Sequence, residues 1–165
     1  MRYSVREIAL IALLSSLNIS SRWALMFMPN VKPVLATIVV MTLVTKPSIG
    51  MMIGLVTFIV SALSLGMGTW VPFQCLAVVV ISLVTFILKK LNIKHRYIIV
   101  VMSVLSAILF GLIMSLETLL LAGPQASIIY WLNGLVWDFY SVIGNVIFTP
   151  VLYSLISRLY PKYKR

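Results

Sequence analysis

The chain has 165 residues, of which 62% are hydrophobic and 10% are charged, and its mean hydropathy is +1.13. Lys and Arg number 13 against 3 Asp and Glu, so the formal net charge is +10. This composition leaves too little polar surface to cover a water-soluble domain, whereas a protein surrounded by lipid can be apolar on its outside. We therefore predict an integral protein of the lipid bilayer, with no nucleic-acid partner.

Six apolar stretches, separated by breaks rich in Gly, Pro, Ser or Lys, predict six transmembrane helices. A hydrocarbon core of about 30 Å requires roughly 20 apolar residues per helix, and fewer where protein surrounds the helix. The predicted spans are 5–24, 32–46, 48–65, 71–89, 97–122 and 127–158. The N-terminal run lacks a convincing cleavage site and is interpreted as the first span. Residues 1–165 are thus predicted to form one all-α, six-helix transmembrane domain.

Positive charge predicts the orientation, because Lys and Arg in short loops are retained on the cytoplasmic side. The cations that flank the spans on one side are Arg2, Arg6, Lys46, Lys89, Lys90, Lys94, Arg96, Arg158, Lys162, Lys164 and Arg165. The two loops assigned to the outside, 66–70 and 122–127, carry no charge. We therefore predict a multi-pass protein of a prokaryotic plasma membrane with both termini in the cytoplasm.

Arg22 and Lys32 do not follow this pattern. They lie in the segment SSRWALMFMPNVKP, residues 20–33, at the outer end of the first two spans. One interpretation is that each cation reaches the lipid headgroups. Together they favour an outer cationic lid that binds carboxylate, phosphate or amide oxygens, since Arg offers a planar fork of donors and Lys a mobile charge. Both are candidate substrate-binding residues, as is Asn18 on the first helix.

Two acidic residues are predicted to lie within the membrane. Glu117 falls little more than one turn from the outer end of the fifth span, and Asp138 about three turns into the sixth. An ionisable side chain at such depth is costly and marks a candidate functional site, so both are candidate substrate-binding residues. The alternative is a buried structural pair with Arg22 or Lys32. The third acid, Glu7, is predicted to pair at the inner end with Arg6, Arg2 or a basic loop.

The predicted sixth helix carries a polar and aromatic stripe. The stripe consists of Asn133, Trp137, Ser141 and Asn145 at steps of four, flanked by Tyr130 and Asp138. Such residues can join helices by hydrogen bonds across the membrane. The aromatic residues and the Asp favour the wall of a pocket instead, so Asn133 and Trp137 are candidate substrate-binding residues.

The segment LGMGTWVPFQCLAV, residues 65–78, predicts a further wall of this pocket. Its glycines permit a tight turn, Pro72 suits the first turn of the fourth helix, and Trp70 and Gln74 then lie one helical turn apart. Trp70 alone would be interpreted as an anchor at the membrane interface. Together Trp70 and Gln74 are candidate substrate-binding residues.

A stripe of small residues on the first helix predicts a docking surface. Ala12, Ser16 and Ser20 follow one another at steps of four, and small side chains at this spacing let another helix approach closely. These three are candidate residues for docking a partner, whether that helix belongs to this chain or to another.

The sequence contains no motif for catalysis or for a cofactor. A phosphate-binding Gly-rich loop is absent, so ATP hydrolysis by that route is excluded. Cys75 is the only Cys, and the only His, His95, lies in a basic loop, so neither predicts a metal site or a nucleophile with its base. We predict no enzymatic activity, no cofactor and no metal. Two matched halves with broken helices, the pattern of many secondary transporters, are not detected.

The segments RWALMFMPNVKP (22–33) and GMGTWVPFQ (66–74), with the small-residue stripe, resemble the substrate-binding S components of energy-coupling factor (ECF) transporters, cobalamin-type branch. The resemblance covers most of the chain. It implies a six-helix S-component fold that captures a vitamin or precursor from outside, with 22–33 as the outer lid and 66–74 as the outer wall. It also implies that the first helix docks on a transmembrane coupling subunit powered by two cytoplasmic ATPase subunits.

The charges and the aromatic residues together suggest the ligand. Arg22 and Lys32 favour an acidic or oxygen-rich molecule, while Trp70 and Trp137 favour one with a flat part. Cobalamin or another corrinoid satisfies both, and pantothenate is the second choice. Two other classes stay open, namely a structural membrane protein of the cell-shape MreD type and a self-contained small-solute carrier or channel.

Overall fold

The structure is a computed structural model that describes the backbone of residues 3–164 and the side chains of residues 3–160. Every regular element in this part of the chain is an α-helix, so the predicted all-α class is confirmed. The helices are α1 (Val5–Ala24), α2 (Val34–Val44), α3 (Pro47–Leu65), α4 (Val71–Lys90) and α5 (His95–Lys164). Three stretches are long and apolar enough to cross a membrane: Pro47–Leu65, Val71–Lys90 and His95–Tyr160. These properties are those of a helical membrane protein.

Helix α5 is a hairpin of two helical arms. Gly123, with φ 85° and ψ 176°, separates arm one (95–122) from arm two (124–164), and glycine adopts this backbone conformation at little cost. Hydrogen bonds join the arms at Ser115–Ser127, Ser106–Asn145 and His95–Tyr153, with lengths of 2.8, 3.1 and 2.9 Å. Because these pairs converge toward Gly123, the arms are antiparallel. They correspond to the predicted fifth and sixth spans, with a break at one glycine in place of the loop predicted at 122–127.

Helix α2 lies in the middle of the bundle and is buried on every side. All residues from Val34 to Leu43 are buried, and α3, α4 and α5 pack around them. The helix has 11 residues, so it rises about 16 Å, roughly half of a hydrocarbon core. It is therefore shorter than the predicted span 32–46. A helix that is apolar on all faces suits this position, because protein surrounds it completely. The prediction of six membrane spans stays a prediction.

Helix α3 approaches α2 closely at two glycines. A Cβ on Gly50 would lie 2.8 Å from the carbonyl oxygen of Ile38 and 3.2 Å from the backbone nitrogen of Thr42. A Cβ on Gly54 would lie 2.5 Å from the Val78 side chain and 2.8 Å from that of Ile38. The missing side chains thus let the helices meet, as small residues do in many membrane bundles.

Cations from the loops lie at one end of the bundle, which we call the basic end. Lys46 pairs with Glu7 of α1 at 2.8 Å, as predicted for Glu7. Lys89 Nζ donates to the carbonyl oxygens of Thr42 and Thr45 at 3.4 and 3.1 Å, and so satisfies the C-terminal end of α2. The side chains of Arg2, Lys162, Lys164 and Arg165 lie outside the described residues. That the basic end and both termini face the cytoplasm stays a prediction.

Substitution of Gly50 by Ala should lower the free energy of unfolding by about 1–3 kcal/mol, because backbone atoms of α2 obstruct the added methyl group. Gly134→Ala is the matched control, since a Cβ at Gly134 meets nothing within 4 Å, and it should keep or raise stability. Thermal unfolding of both variants in detergent measures the difference. Equal melting temperatures would contradict the close approach of α3 to α2.

Candidate ligand-binding site

The connector, residues 25–33 between α1 and α2, folds back onto arm two of α5. Asn30 has a φ of 55°, and its Nδ2 donates to the carbonyl oxygen of Trp137 at 3.3 Å. Gly144 permits the next contact, because a Cβ there would lie only 3.3 Å from the backbone nitrogen of Lys32. The segment predicted to be an outer cationic lid is thus held against arm two.

The first cavity of the site, the cationic cavity, has a volume of about 150 Å³. Its polar lining consists of Arg22, Asn30, Lys32, Gln74, Ser141 and Asn145. The Arg22 guanidinium carbon lies 4.7 Å from the centre of the Phe58 ring, and its Nε is buried without a hydrogen-bond partner. Lys32 is partly buried in the same lining, and its ammonium and the Arg22 guanidinium carry like charges. Two mutually repelling cations therefore share one small cavity.

The second cavity, the aromatic cavity, has a volume of about 410 Å³ and shares Asn30 and Phe110 with the first. Its wall on arm two consists of Tyr130, Trp131, Asn133, Gly134, Trp137 and Asp138. Asp138 is only 8% exposed, and its Oδ2 has no hydrogen-bond partner. The Nε1 of Trp131 is also buried and unpartnered. Other buried polar atoms without a partner, such as Thr42 Oγ1 and Ser82 Oγ, belong to residues outside the cavities. Asp138 and Trp131 line the cavity, so their two atoms are candidate contacts for a ligand.

Neither cation of the cationic cavity is paired with an acid within the described part of the chain. Among residues 3–160, whose side chains are described, the ion pair within 4.0 Å is Lys46–Glu7, at the basic end. The alternative that Arg22 or Lys32 forms a buried structural pair with an acid of the bundle is therefore wrong. A buried charge without a countercharge is costly. A negatively charged ligand would remove this cost.

Six of the predicted substrate-binding residues line these cavities: Arg22, Lys32 and Gln74 the cationic one, and Asn133, Trp137 and Asp138 the aromatic one. Their position along the cavity walls is what the sequence pattern indicated. Their contact with a substrate stays a prediction.

Three predicted substrate-binding residues lie outside both cavities. Asn18 is buried and accepts a hydrogen bond from Thr37 Oγ1 at 3.1 Å. Glu117 accepts one from Thr69 Oγ1 at 2.5 Å, which ties arm one to the loop before α4. Trp70 is 41% exposed. In this structure Asn18 and Glu117 therefore hold parts of the bundle together.

Several lining residues have no counterpart among the predicted site residues, and Asn30, Phe110 and Trp131 are examples. For Asn30 a signal exists, because Asn tolerates positive φ and stands between Pro29 and Val31 in a proline-flanked turn. Phe110 and Trp131 carry no such signal, since aromatic residues are frequent throughout the chain. The antiparallel pairing of the two arms brings them to the cavity.

The predicted docking stripe lies on the outer face of α1. Ala12, Ser16 and Ser20 are exposed, and Ser16 Oγ donates to the carbonyl oxygen of Ala12 at 2.8 Å. The opposite face packs on α3, where Ser15 Oγ donates to the carbonyl oxygen of Ile53 at 3.3 Å. The stripe is thus open to another helix, and its role in docking stays a prediction.

No protein-family profile, curated protein or solved structure matches this chain. Within the described residues, no group of three or more His, Cys, Asp or Glu side chains could hold a metal ion. The site offers donors at Arg22 and Lys32, an acceptor at Asp138 and aromatic faces beside it. This arrangement can bind and orient a solute.

Replacing Arg22 by Met, which keeps an unbranched side chain against Phe58, should leave the melting temperature of the ligand-free protein unchanged or raise it. An unpaired buried charge lowers the stability of the ligand-free protein, so its removal should not lower the melting temperature. Lys89→Met is the control, since Lys89 bonds two carbonyl oxygens of α2, and it should destabilise the protein by about 1 kcal/mol or more. Equal destabilisation by both variants, measured by thermal unfolding, would assign Arg22 a structural role.

Proposed function

We propose that this chain is the membrane-embedded, high-affinity capture subunit of an ECF-type vitamin importer. It binds a vitamin or precursor from outside and delivers it through a coupling subunit driven by ATPases. The observation that carries the proposal is the cationic cavity, in which Arg22 and Lys32 are brought together without an acidic partner among the described residues.

The chemistry of this cavity suits an anionic group. The Arg22 fork and the Lys32 ammonium can both donate to one carboxylate or phosphate, and such charge-assisted hydrogen bonds are stronger than neutral ones. Gln74, in the same wall, supplies a further amide. Because Arg22 and Lys32 are partly buried, each bond to the ligand is worth more than it would be in water.

The exposed stripe of α1 supports the second half of the proposal, delivery through a partner. A membrane helix can approach Ala12, Ser16 and Ser20 closely, because no large side chain intervenes along that row. The coupling subunit would dock there, and the ATPase subunits would supply the energy that this chain has no phosphate-binding loop to provide.

Cavity size bears on the substrate. The aromatic cavity, about 410 Å³, lies in the range of sites for small molecules, whereas the cationic cavity, about 150 Å³, has room for one end of a ligand. A corrinoid, which combines a macrocycle with a nucleotide tail, is large for this space unless the connector moves away from arm two. The cavities therefore favour a smaller acid of the size of pantothenate over cobalamin.

Arg22→Ala and Lys32→Ala should each weaken ligand binding by about 1.5 kcal/mol or more, roughly tenfold, because each removes a charged donor from the anion. The measurement is calorimetric titration of the detergent-purified chain with water-soluble vitamins, pantothenate and cobalamin included. Wild-type protein should bind one of them tightly, with one site per chain.

Lys90→Ala is the control for these variants, since Lys90 is an exposed cation at the basic end, 5.1 Å from the Phe86 ring centre. It should bind like the wild type. If both site variants bind the ligand as tightly as the wild type, Arg22 and Lys32 are better interpreted as cations that contact lipid headgroups. If the wild type binds none of the vitamins, the alternative of a structural membrane protein is favoured.

Ser16→Leu should impair vitamin uptake by cells and spare binding by the purified protein, because the larger side chain blocks the docking stripe and not the cavities. Ser154→Leu, at an exposed position of arm two, is the matched control and should affect neither. If uptake survives in the Ser16 variant, the stripe is not the docking face. Uptake by liposomes that contain this chain alone would instead indicate a self-contained carrier.

A further inference from the structure

The aromatic cavity contains a charge of the opposite sign to the cationic cavity. Asp138 lies on its wall, 8% exposed, and its Oδ2 is buried without a hydrogen-bond partner. The cations nearest along the site, Arg22 and Lys32, line the adjoining cavity and do not pair with it. Oδ2 of Asp138 is therefore a buried acceptor without a hydrogen-bond partner among the described residues.

The surrounding backbone makes room for this carboxylate. Gly111 of arm one faces it so closely that a Cβ at that position would collide with both carboxylate oxygens. The glycine leaves room for the Asp138 carboxylate but gives it no hydrogen bond, because no donor lies within reach of Oδ2. A carboxylate held this way is costly to the fold. The cost is removed when a ligand donates an N–H or O–H group to it.

The other groups of the cavity indicate what kind of donor fits. Tyr130, Trp131 and Trp137 supply aromatic rings, and Phe110 stands between the two cavities. Rings of this kind pack against a flat group by offset stacking or by their edges. Asn133 adds an amide that can both donate and accept. A flat group with N–H donors is the chemical match to this wall.

We propose, resting on the proposed function, that the substrate has two different ends: an anionic end in the cationic cavity and a flat, N–H-donating end at Asp138. The substrate class is an organic acid or phosphate joined to a nitrogen heterocycle or cyclic urea. Asn30 and Phe110 line both cavities, so the cavities adjoin, and a two-ended substrate would extend from one to the other past these residues.

The test is calorimetric titration of the full-length chain in detergent with compounds that have one or both ends. Biotin, folinic acid and flavin mononucleotide carry both. Biotin methyl ester and riboflavin lack the anionic end, and pantothenate lacks the flat end. At least one two-ended compound should bind, about tenfold or more tighter than its one-ended counterparts.

Asp138→Asn should weaken the binding of that compound about tenfold or more, because a buried charged acceptor is lost. Glu7→Gln removes the acid of the basic end and should leave the affinity unchanged. If Asp138→Asn fails to fold, Gly111→Ala serves instead, because its methyl group displaces the carboxylate and keeps the charge. It should weaken the same compound and spare pantothenate.

The outcomes separate this inference from the proposed function. Tight binding of pantothenate or cobalamin that Asp138→Asn leaves unchanged would overturn the two-ended substrate and retain the capture subunit. Binding of riboflavin as tight as that of flavin mononucleotide would overturn the anionic end. If none of the compounds, cobalamin included, binds the wild type, the proposed function fails and this inference fails with it.

Discussion

The burial of α2 is the constraint on which the rest of the bundle depends. A helix of 11 residues that is apolar on every face is too short to cross a bilayer by itself, and it is stable where protein encloses it. Enclosure requires α3 to approach at Gly50 and Gly54. It also requires Lys89 to reach the last carbonyl oxygens of the helix. The positions of the neighbouring helices therefore follow from the burial of α2 on every side.

The short length of α2 also creates the site. Its C-terminal end lies at the basic end of the bundle, beside Lys89, so its N-terminal end at Val34 lies only part of the way through. The space beyond is occupied by the connector, which arm two holds at Asn30 and Gly144, and by the two cavities. Val34, the first residue of α2, lines the cationic cavity. The site therefore lies directly beyond the N-terminal end of this helix.

The site has opposite charges in adjoining cavities, and among the described residues they do not pair. Arg22 and Lys32 line one cavity and Asp138 the other, with Asn30 and Phe110 between them. If the charges met, the ion pair would satisfy both sides and leave nothing for a ligand. Keeping them apart costs stability, as binding sites commonly do. This cost is the physical reason why the two cavities are proposed as a binding site.

The sequence by itself determined the class of protein, its helical character and the breaks between its helices, because composition, Gly and Lys-Pro-Ser act locally. It also singled out Arg22, Lys32 and Asp138, since a charge in an apolar chain stands out without knowledge of its neighbours. Only the tertiary structure decided that α2 has no more than 11 residues, that Glu117 accepts a hydrogen bond from Thr69, and that Asn30 donates one to Trp137. These outcomes depend on contacts between residues far apart in the chain, and hydropathy and spacing carry no information about which distant residues meet.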